Sequence, residues 1–372
     1  MKKSYKKFLL FLILLSNITV QSQLIEGTIL DSKTKETLPG ATVYLDGTTI
    51  STITDTNGYF KINTKGNNAT LVVSFIGYST YRLDNPLQYV NKKLKVMLVE
   101  ESISLDEVVV GKGPFSRKQM MKVFREQFLG ESKAGRSCKI LNEDDIVLYY
   151  DVSTNTLNAS ARNPLKIINK HLDYEVNFDL EELIVQYNYK SLDKFNQSRS
   201  YFSGTTFYKD MSKNNRADKK RRETFYGSAT HFALTVANEA WEKEDIRLFV
   251  EGWPVNPKDY FKVKDTLGVK QVTLIKEPQK EVKDFTLDKS PSNNVTFTDK
   301  GKTKLVKVNF NILYKKEHQS IVEFVDKVIY VDENGNYSPI YGILYGGYIG
   351  TLKAGNMLPI DYYQVIKEMQ KG

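Results

Sequence analysis

Leu38-Pro39-Gly40-Ala41-Thr42-Val43-Tyr44-Leu45-Asp46-Gly47-Thr48-Thr49, followed by Thr54-Asp55-Thr56-Asn57-Gly58-Tyr59-Phe60-Lys61-Ile62, decides how the first hundred residues are read. Apolar side chains occupy alternate positions at Ala41, Val43 and Leu45 and again at Phe60 and Ile62, the two-residue repeat of half-buried strands. Between them stand Asp46-Gly47 and Asp55-Thr56-Asn57-Gly58, where Gly and Asn supply the positive φ of tight turns. The same alternation continues outward through Leu71/Val73/Phe75 and Leu94/Val96/Leu98, with Lys65-Gly66-Asn67-Asn68 as a further turn. Strands of about five residues at this spacing predict an antiparallel β-sandwich of about seven strands over residues 23–99.

Five ordered segments also carry a resemblance. Gly27-Thr28-Ile29-Leu30-Asp31, Leu38 to Val43, Gly47-Thr48-Thr49, Thr54 to Phe60 and Ser74-Phe75-Ile76-Gly77-Tyr78 follow one another as in the carboxypeptidase-regulatory-like module. The resemblance implies a transthyretin-like fold and an accessory role without catalytic residues. It also implies a setting, because such modules precede the plug of TonB-dependent outer-membrane receptors in Bacteroidota-type bacteria. A zinc peptidase needs a His-x-x-Glu pair and a second His, and His171, His231 and His318 stand in no such pattern.

Upstream, Lys2, Lys3, Lys6 and Lys7 precede the unbroken apolar run Phe8 to Leu15 and then Val20-Gln21-Ser22, the form of a secretory leader. Cleavage is expected before Gln23, because the apolar run is far shorter than the roughly 18–20 residues that span a bilayer. The expected location is the periplasm or the periphery of the outer membrane. The 53 Lys and Arg against 44 Asp and Glu give a formal charge of +9. Four of those charges belong to the leader, and the small remaining excess gives no ground for nucleic-acid binding. The single Cys138 cannot form an intramolecular disulfide and reads as a small buried hydrophobe.

Downstream, Glu100-Glu101-Ser102-Ile103-Ser104-Leu105-Asp106-Glu107-Val108-Val109-Val110-Gly111 resembles the segment that in such receptors joins the module to the plug and holds the TonB box. The resemblance implies strand addition to an energising partner through Glu107, Val108, Val109 and Val110. Residues 100–113 otherwise read as a linker, and the residues that follow do not show the ten-residue alternating segments of a membrane barrel.

Residues 114–372 are predicted to form a second, α+β domain, mainly of antiparallel strands. Met121, Phe124 and Phe128 at helical spacing predict a helix that Gly130 can stop. Ile146 to Tyr150, Leu157/Ala159/Ala161, Leu172 to Leu180, Leu183 to Tyr189 and Tyr201 to Tyr208 read as successive strands of a meander. Phe225, Ala229, Phe232, Val236 and Ala240 predict one helix from Arg222 to about Trp241. Lys280 to Thr303 reads as a long loop, Val306 to Tyr314 as a strand, and Asp332-Glu333-Asn334-Gly335 as a hairpin turn. That turn lacks the later bidentate Glu of a calcium loop. Arg221-Arg222-Glu223, Phe225-Tyr226-Gly227-Ser228, His231-Phe232, Tyr337-Ser338-Pro339 and Met357 to Tyr362 resemble the C-terminal region of secreted Bacteroidota proteins that carry the same module. The resemblance implies a shared layout and no reaction.

Three groups of residues are functional candidates. Lys219, Lys220, Arg221 and Arg222, with Lys213 and Arg216, place cations before the predicted helix, where the orphan N–H groups already favour an anion or an acidic partner. Ser228 and His231 share a predicted helical face, but spacing alone places no carboxylate to orient the His, and no Gly follows Ser228 as in a nucleophile elbow. Trp241 and Trp253 are the aromatics to inspect for ring stacking with a sugar. No Gly-rich phosphate loop or clustered metal ligands appear, so no cofactor is expected. The expected function is a non-catalytic binding or scaffolding protein of the cell envelope, whose partner is an envelope protein or outer-membrane component. A hydrolase in the second domain and an accessory part of TonB-dependent transport are the alternatives.

Overall fold

The computed structural model describes residues 23–100, 113–289 and 295–371, and side chains outside 284–302 and 371. The expected leader at 1–22 and the TonB-box-like segment Glu107, Val108, Val109 and Val110 lie outside the described residues. The chain divides into two compact units, taken here in turn. Among the described residues no helix is long and apolar enough to cross a membrane.

In the first unit, strands β1 (Leu24–Asp31), β2 (Thr42–Leu45), β3 (Ser51–Ile53), β4 (Tyr59–Asn63), β5 (Leu71–Ser74), β6 (Tyr81–Leu83) and β7 (Lys93–Leu98) form two sheets ordered β4-β1-β7 and β3-β2-β5-β6. The alternating residues of the sequence face inward: Val43, Leu45, Phe60, Ile62, Leu71, Val73, Val96 and Leu98 are buried with Ile25 and Ile29. One pairing departs from the antiparallel expectation. β1 and β7 run parallel, in register from Glu26 opposite Lys93 to Asp31 opposite Leu98. Close approach at this seam requires Gly27, because a Cβ there would stand 2.5 Å from the Leu94 carbonyl oxygen. Turn chemistry also follows the sequence, since Asp55 Oδ1 accepts from the N–H groups of Asn57 and Tyr59 at 2.8 and 2.9 Å.

The second unit opens with helix α1 (Arg117–Phe128). Its start is set by a capping box in which Ser116 and Gln119 satisfy each other's backbone donors. Next come α2 (Lys133–Ser137) and strands β8 (Cys138–Ile140), β9 (Ile146–Asp151), β10 (Thr156–Ala161), β11 (Leu165–Asn169), β12 (Tyr174–Tyr187) and β13 (Gln197–Asp210). Their sheet has the order β8-β11-β12-β10-β9, with β13 added to β12. Phe128 of α1 packs edge-on against Phe178 and Phe202, at 4.9 and 5.3 Å between ring centroids.

The two runs that the sequence suggests as separate strands, Leu172 to Leu180 and Leu183 to Tyr189, are one continuous strand, β12. Its burial alternates in two phases broken at the exposed pair Glu181-Glu182. β11 pairs with the first half and β10 with the second. A change of phase therefore marks a change of partner here, not a turn.

Beyond β13 come α3 (Asp218–Phe225), α4 (Ala229–Ala237), β14 (Ile246–Val250), β15 (Trp253–Pro254), β16 (Phe261–Thr266) and β17 (Val269–Leu274). They are followed by β18 (Gln279–Lys289), β19 (Val295–Lys307), β20 (Phe310–Tyr314), β21 (His318–Phe324), β22 (Val328–Val331) and β23 (Tyr337–Ser338). β24 (Ile343–Gly346), α5 (Gly347–Thr351) and α6 (Tyr362–Lys371) complete the unit. The sheets are β15-β14-β20-β21-β24, β16-β17-β22-β23 and the two-stranded β18-β19. Phe232 and Val236 of α4 join their core with Leu248, Phe310, Ile312 and Val322.

Two expectations are corrected here. The single helix from Arg222 to Trp241 is two helices, because Tyr226 is extended and Gly227 takes φ +85°. A side chain at Gly227 would also meet Tyr314 at 2.8 Å. Lys280 to Thr303, expected as a loop, lies mostly in the paired strands β18 and β19, whose backbone register runs from Gln279 opposite Lys307 to Lys289 opposite Val295.

Candidate functional site

The basic run does not precede a long helix; Lys219, Lys220, Arg221 and Arg222 lie within α3, behind Asp218. Arg221 differs from its neighbours. It is 4% exposed, and its guanidinium donates to both Asp210 carboxylate oxygens at 2.7 and 2.8 Å, to the Leu172 carbonyl at 2.8 Å and to the Asp173 carbonyl at 3.1 Å. It also lies 3.7 Å from the centre of the Tyr174 ring. With four of its five N–H donors so engaged and the group buried, Arg221 is a structural tie between α3 and the first sheet of this unit, not a group presented to an outside anion. Arg216 is held by Asp173 in a two-pronged pair at 2.7 and 3.1 Å. Lys219, Lys220 and Arg222 are exposed.

The break at Gly227 also changes the meaning of Ser228 and His231. Ser228 is the N-cap of α4, its Oγ accepting from the His231 backbone N–H at 3.2 Å. The His231 ring is buried. Its Nδ1 accepts from the Gly227 N–H at 3.1 Å, so Nε2 carries the proton and donates to Glu244 Oε2 at 3.0 Å. Burial lowers its pKa from the ordinary value of 6.5 despite the opposing pull of Glu244. A carboxylate that spacing could not reveal does therefore orient this His, yet neither ring nitrogen is free to take a proton from Ser228. The two side chains also line different cavities, Ser228 a cleft of about 910 Å³ and His231 one of about 490 Å³. The arrangement is a helix cap beside a buried tether, not a nucleophile and its base.

The larger cleft is the candidate site. Its walls come from β13, β24, α5, the turn at Asn334 and the chain from Leu352 to Tyr363. Among the described residues, three buried side-chain polar atoms lack a hydrogen-bond partner: Asn334 Oδ1, the Tyr345 hydroxyl and the Tyr362 hydroxyl. All three residues line this cleft. The Tyr337 hydroxyl stands near enough to Tyr345 to raise its pKa, but not in bonding geometry. Burial is the main cause that pushes Tyr345 well above its usual value and Tyr362 up to about 12, so both hydroxyls keep their protons at neutral pH. Leaving such groups unpaired costs on the order of 1–3 kcal/mol each, and all three lie in the packed layer directly behind the cleft lining.

Lys353 is on the same wall. Its amine donates to Ser200 Oγ at 3.3 Å, and among the described residues no carboxylate reaches it. Burial lowers its pKa with no opposing charge. Ser200 in turn donates to Gln127 Oε1 at 2.9 Å, which also accepts from Gln197 Nε2 at 3.0 Å, so the end of α1 holds this part of the wall.

The other candidates separate. Cys138 packs beside the first core, and burial pushes its thiol up to about 12, which keeps it protonated and unreactive. Trp241 is a core residue stacked on Phe261, whereas Trp253 is 76% exposed. Asp332 Oδ1 accepts from the N–H groups of Asn334 and Asn336 at 2.8 and 2.9 Å, closing the expected hairpin turn. Among the described residues no three His, Cys, Asp or Glu side chains gather as metal ligands. Sequence reasoning did not single out Ser200, Tyr345 or Lys353. Their only signal would have been proximity across more than a hundred residues, which periodicity does not encode.

Comparison with known proteins places the first unit. Residues 25–110 match the model of the CarboxypepD_reg-like domain, a non-catalytic regulatory module. The TonB-dependent receptor SusC of Bacteroides thetaiotaomicron is 35% identical over 127 residues. That match covers 32% of this chain and spans 12% of the receptor's length. Both findings fit a protein associated with the cell envelope. Among solved structures, a type II cohesin–X-dockerin complex from Acetivibrio cellulolyticus shares 22% identity over 29% of this chain and 75% of that one, with a TM-score of 0.19. A protein of unknown function from Bacteroides fragilis shares 14% identity over 79% and 94%, with a TM-score of 0.16. At such scores neither structure bears on this chain's function.

Proposed function

We propose that this is an exported, non-catalytic binding protein of the cell envelope. In this reading residues 1–22 are a secretory leader, 23–99 the regulatory-like module, 100–113 a linker and 114–372 a binding unit whose cleft receives the ligand. One observation supports the cleft above other surfaces: the three residues whose buried polar atoms lack partners all contribute to its lining. Its volume of about 910 Å³ falls at the upper end of ligand clefts, roughly 300–1,000 Å³. The test is a photo-crosslinking residue at Ile321, which lines the cleft, compared with one at Leu267, which is fully exposed and lies outside it. Envelope preparations should give a discrete adduct from position 321 and none from 267. Equal labelling at both positions would remove the reason to assign binding to this cleft.

The similarity to SusC and the TonB-box-like Glu107, Val108, Val109 and Val110 favour a second reading, an accessory part of TonB-dependent transport. Strand addition needs backbone N–H groups, so Val109→Pro should abolish binding of a purified TonB-type periplasmic domain. Undiminished binding, or none by the unaltered chain, would dismiss it.

A further inference from the structure

We infer that a second site, apart from the cleft, binds a phosphoryl group between the exposed cations of α3 and the turn that joins β20 to β21. The two cavities share no lining residue, so the inference does not rest on the cleft.

The site is a pocket of about 440 Å³. From α3 come Lys219 and Arg222, three residues apart and so on one helical face, with Tyr226 just beyond the helix end. Between them Arg221 is turned inward and Lys220 stays outside the lining, so two of the four consecutive cations take part. Lys315 enters from the turn between β20 and β21. Tyr314, His318 and Tyr348 stand behind it, the rings of His318 and Tyr348 stacked at 3.9 Å between centroids.

Two observations separate this pocket from a scatter of surface cations. Among the described residues no carboxylate stands within ion-pair distance of Lys219, Arg222 or Lys315, whereas Arg216 and Arg221 nearby are each held by an Asp. The second is the course of Lys315. Its turn is closed by the Glu317 N–H donating to the Tyr314 carbonyl at 3.1 Å and holds Lys315 at φ +49° and Lys316 at φ +59°. Such a turn suits Asn-Gly best, and two lysines occupy it against that preference. The Lys315 ammonium lies 5.2 Å from the centre of the Tyr314 ring and 5.9 Å from that of Tyr226, so its side chain runs along the aromatic wall.

The chemistry of these groups selects the ligand. A phosphoryl group carries a charge of about −1.5 to −2 at neutral pH and three acceptor oxygens, which several separate cations can share. A guanidinium adds two-pronged hydrogen bonding to it. Burial raises the pKa of Tyr226 and of Tyr348, so both hydroxyls keep their protons and can donate to an anion. Glu223 and Glu317 also line the pocket, and three cations against two carboxylates leave one net positive charge. That balance favours a compact anion set among the cations over a polyanion laid across the surface.

The test is a lysine footprint. The full chain is acetylated with limiting acetic anhydride, with and without glycerol phosphate, and each lysine is followed by peptide mass spectrometry. Glycerol phosphate should protect Lys219 and Lys315 and leave their neighbours Lys220 and Lys316, which lie outside the lining, as reactive as before. Glycerate, which offers a single carboxylate, should protect neither. Arg222→Gln, a change at an exposed residue without an ion-pair partner, should weaken the protection about tenfold. Phosphatidylcholine vesicles containing phosphatidic acid present the same phosphoryl group on a lipid. Protection by these vesicles alone assigns the ligand to a lipid headgroup, protection by glycerol phosphate alone to a soluble ester, and either or both supports the site. Because neighbouring lysines are compared on the unaltered protein, a poorly folded variant does not remove the test. Equal protection of all four lysines, equal protection by glycerate, failure of both phosphate sources, or an unchanged response in folded Arg222→Gln would each overturn the inference.

Discussion

The two units treat buried polar groups differently. In the sandwich, Thr54 Oγ1 donates to the Leu38 carbonyl at 2.7 Å and accepts from the Ala41 N–H at 2.8 Å. Asp31 accepts from the N–H groups of Lys33 and Thr34 and from the Tyr78 hydroxyl, each at 2.7 Å. The second unit does the same at Arg221 and Asn169, yet leaves Asn334, Tyr345 and Tyr362 unpaired along one wall. Among the described residues, the buried side-chain atoms without partners are thus confined to the second unit, and the sandwich shows none.

That contrast can be broken in five ways, taken from the largest expected effect. Arg221→Ala should destabilise the second unit by about 3–5 kcal/mol, since it strands buried carbonyls and opens the contact with Tyr174. The triple change of Lys219, Lys220 and Arg222 to Gln should stay within about 0.5 kcal/mol. Chemical denaturation followed by the fluorescence of Trp241 and Trp253 would compare them, and equal effects would mean that Arg221 is no tie. In the sandwich, Thr54→Val should cost about 1–3 kcal/mol, by leaving a buried N–H and carbonyl unpaired. Amide hydrogen exchange at Ala41 would report it.

Ser228→Ala should cost about 1 kcal/mol, as loss of an N-cap does. If it instead abolished a cellular function at an unchanged melting temperature, the hydrolase alternative would return. His231 tests the buried tether. Its folded pKa lies below the ordinary 6.5, so below that pH the unfolded chain takes up a proton that the folded chain refuses. Its contribution to stability is thus complete above about pH 6.5 and is lost as pH falls from there through the lowered folded pKa. His231→Gln should flatten this part of the pH–stability curve; an unchanged slope between pH 7 and 5 would show that the ring titrates alike in the folded and unfolded chain, and a steeper one that Glu244 keeps it charged.

The smallest effect has the opposite sign. Tyr345→Phe removes a hydroxyl that has no partner, and should leave stability unchanged or raise it by up to about 1 kcal/mol. A clear loss in thermal melts would mean that the group is already satisfied, and the contrast between the units would close.

Much of the sandwich was legible because its information is local. Ala41, Val43 and Leu45 reveal a strand by their spacing, and Asp55 to Gly58 reveal a turn by their chemistry. Ser116 and Gln119 could have been read in the same way. The single helix drawn through Gly227 failed because the apolar stripe Phe225 to Val236 continues across two helices, and only a backbone turn with positive φ separates them. β12 was divided because its alternation slips at Glu181-Glu182, a signal that a turn and a change of partner share. The cleft was least legible, since Ser200, Asn334, Tyr345, Lys353 and Tyr362 meet only after three sheets have formed. What distinguishes them is a missing partner, and a sequence does not display absences.

The parallel seam between β1 and β7 has a mechanical consequence. Antiparallel first and last strands would bring the module's two chain ends out side by side, and tension between them would peel the ladder one hydrogen bond at a time. Because β1 and β7 run the same way, the chain enters at one end of the sandwich and leaves at the other, separated along the seam by roughly 17–20 Å for six residues. A pull between residues 24 and 98 then loads the ladder from Glu26–Lys93 to Asp31–Leu98 in shear, so that its bonds share the force and yield together. Tension between those two residues would therefore meet a sheared ladder and not one that unzips.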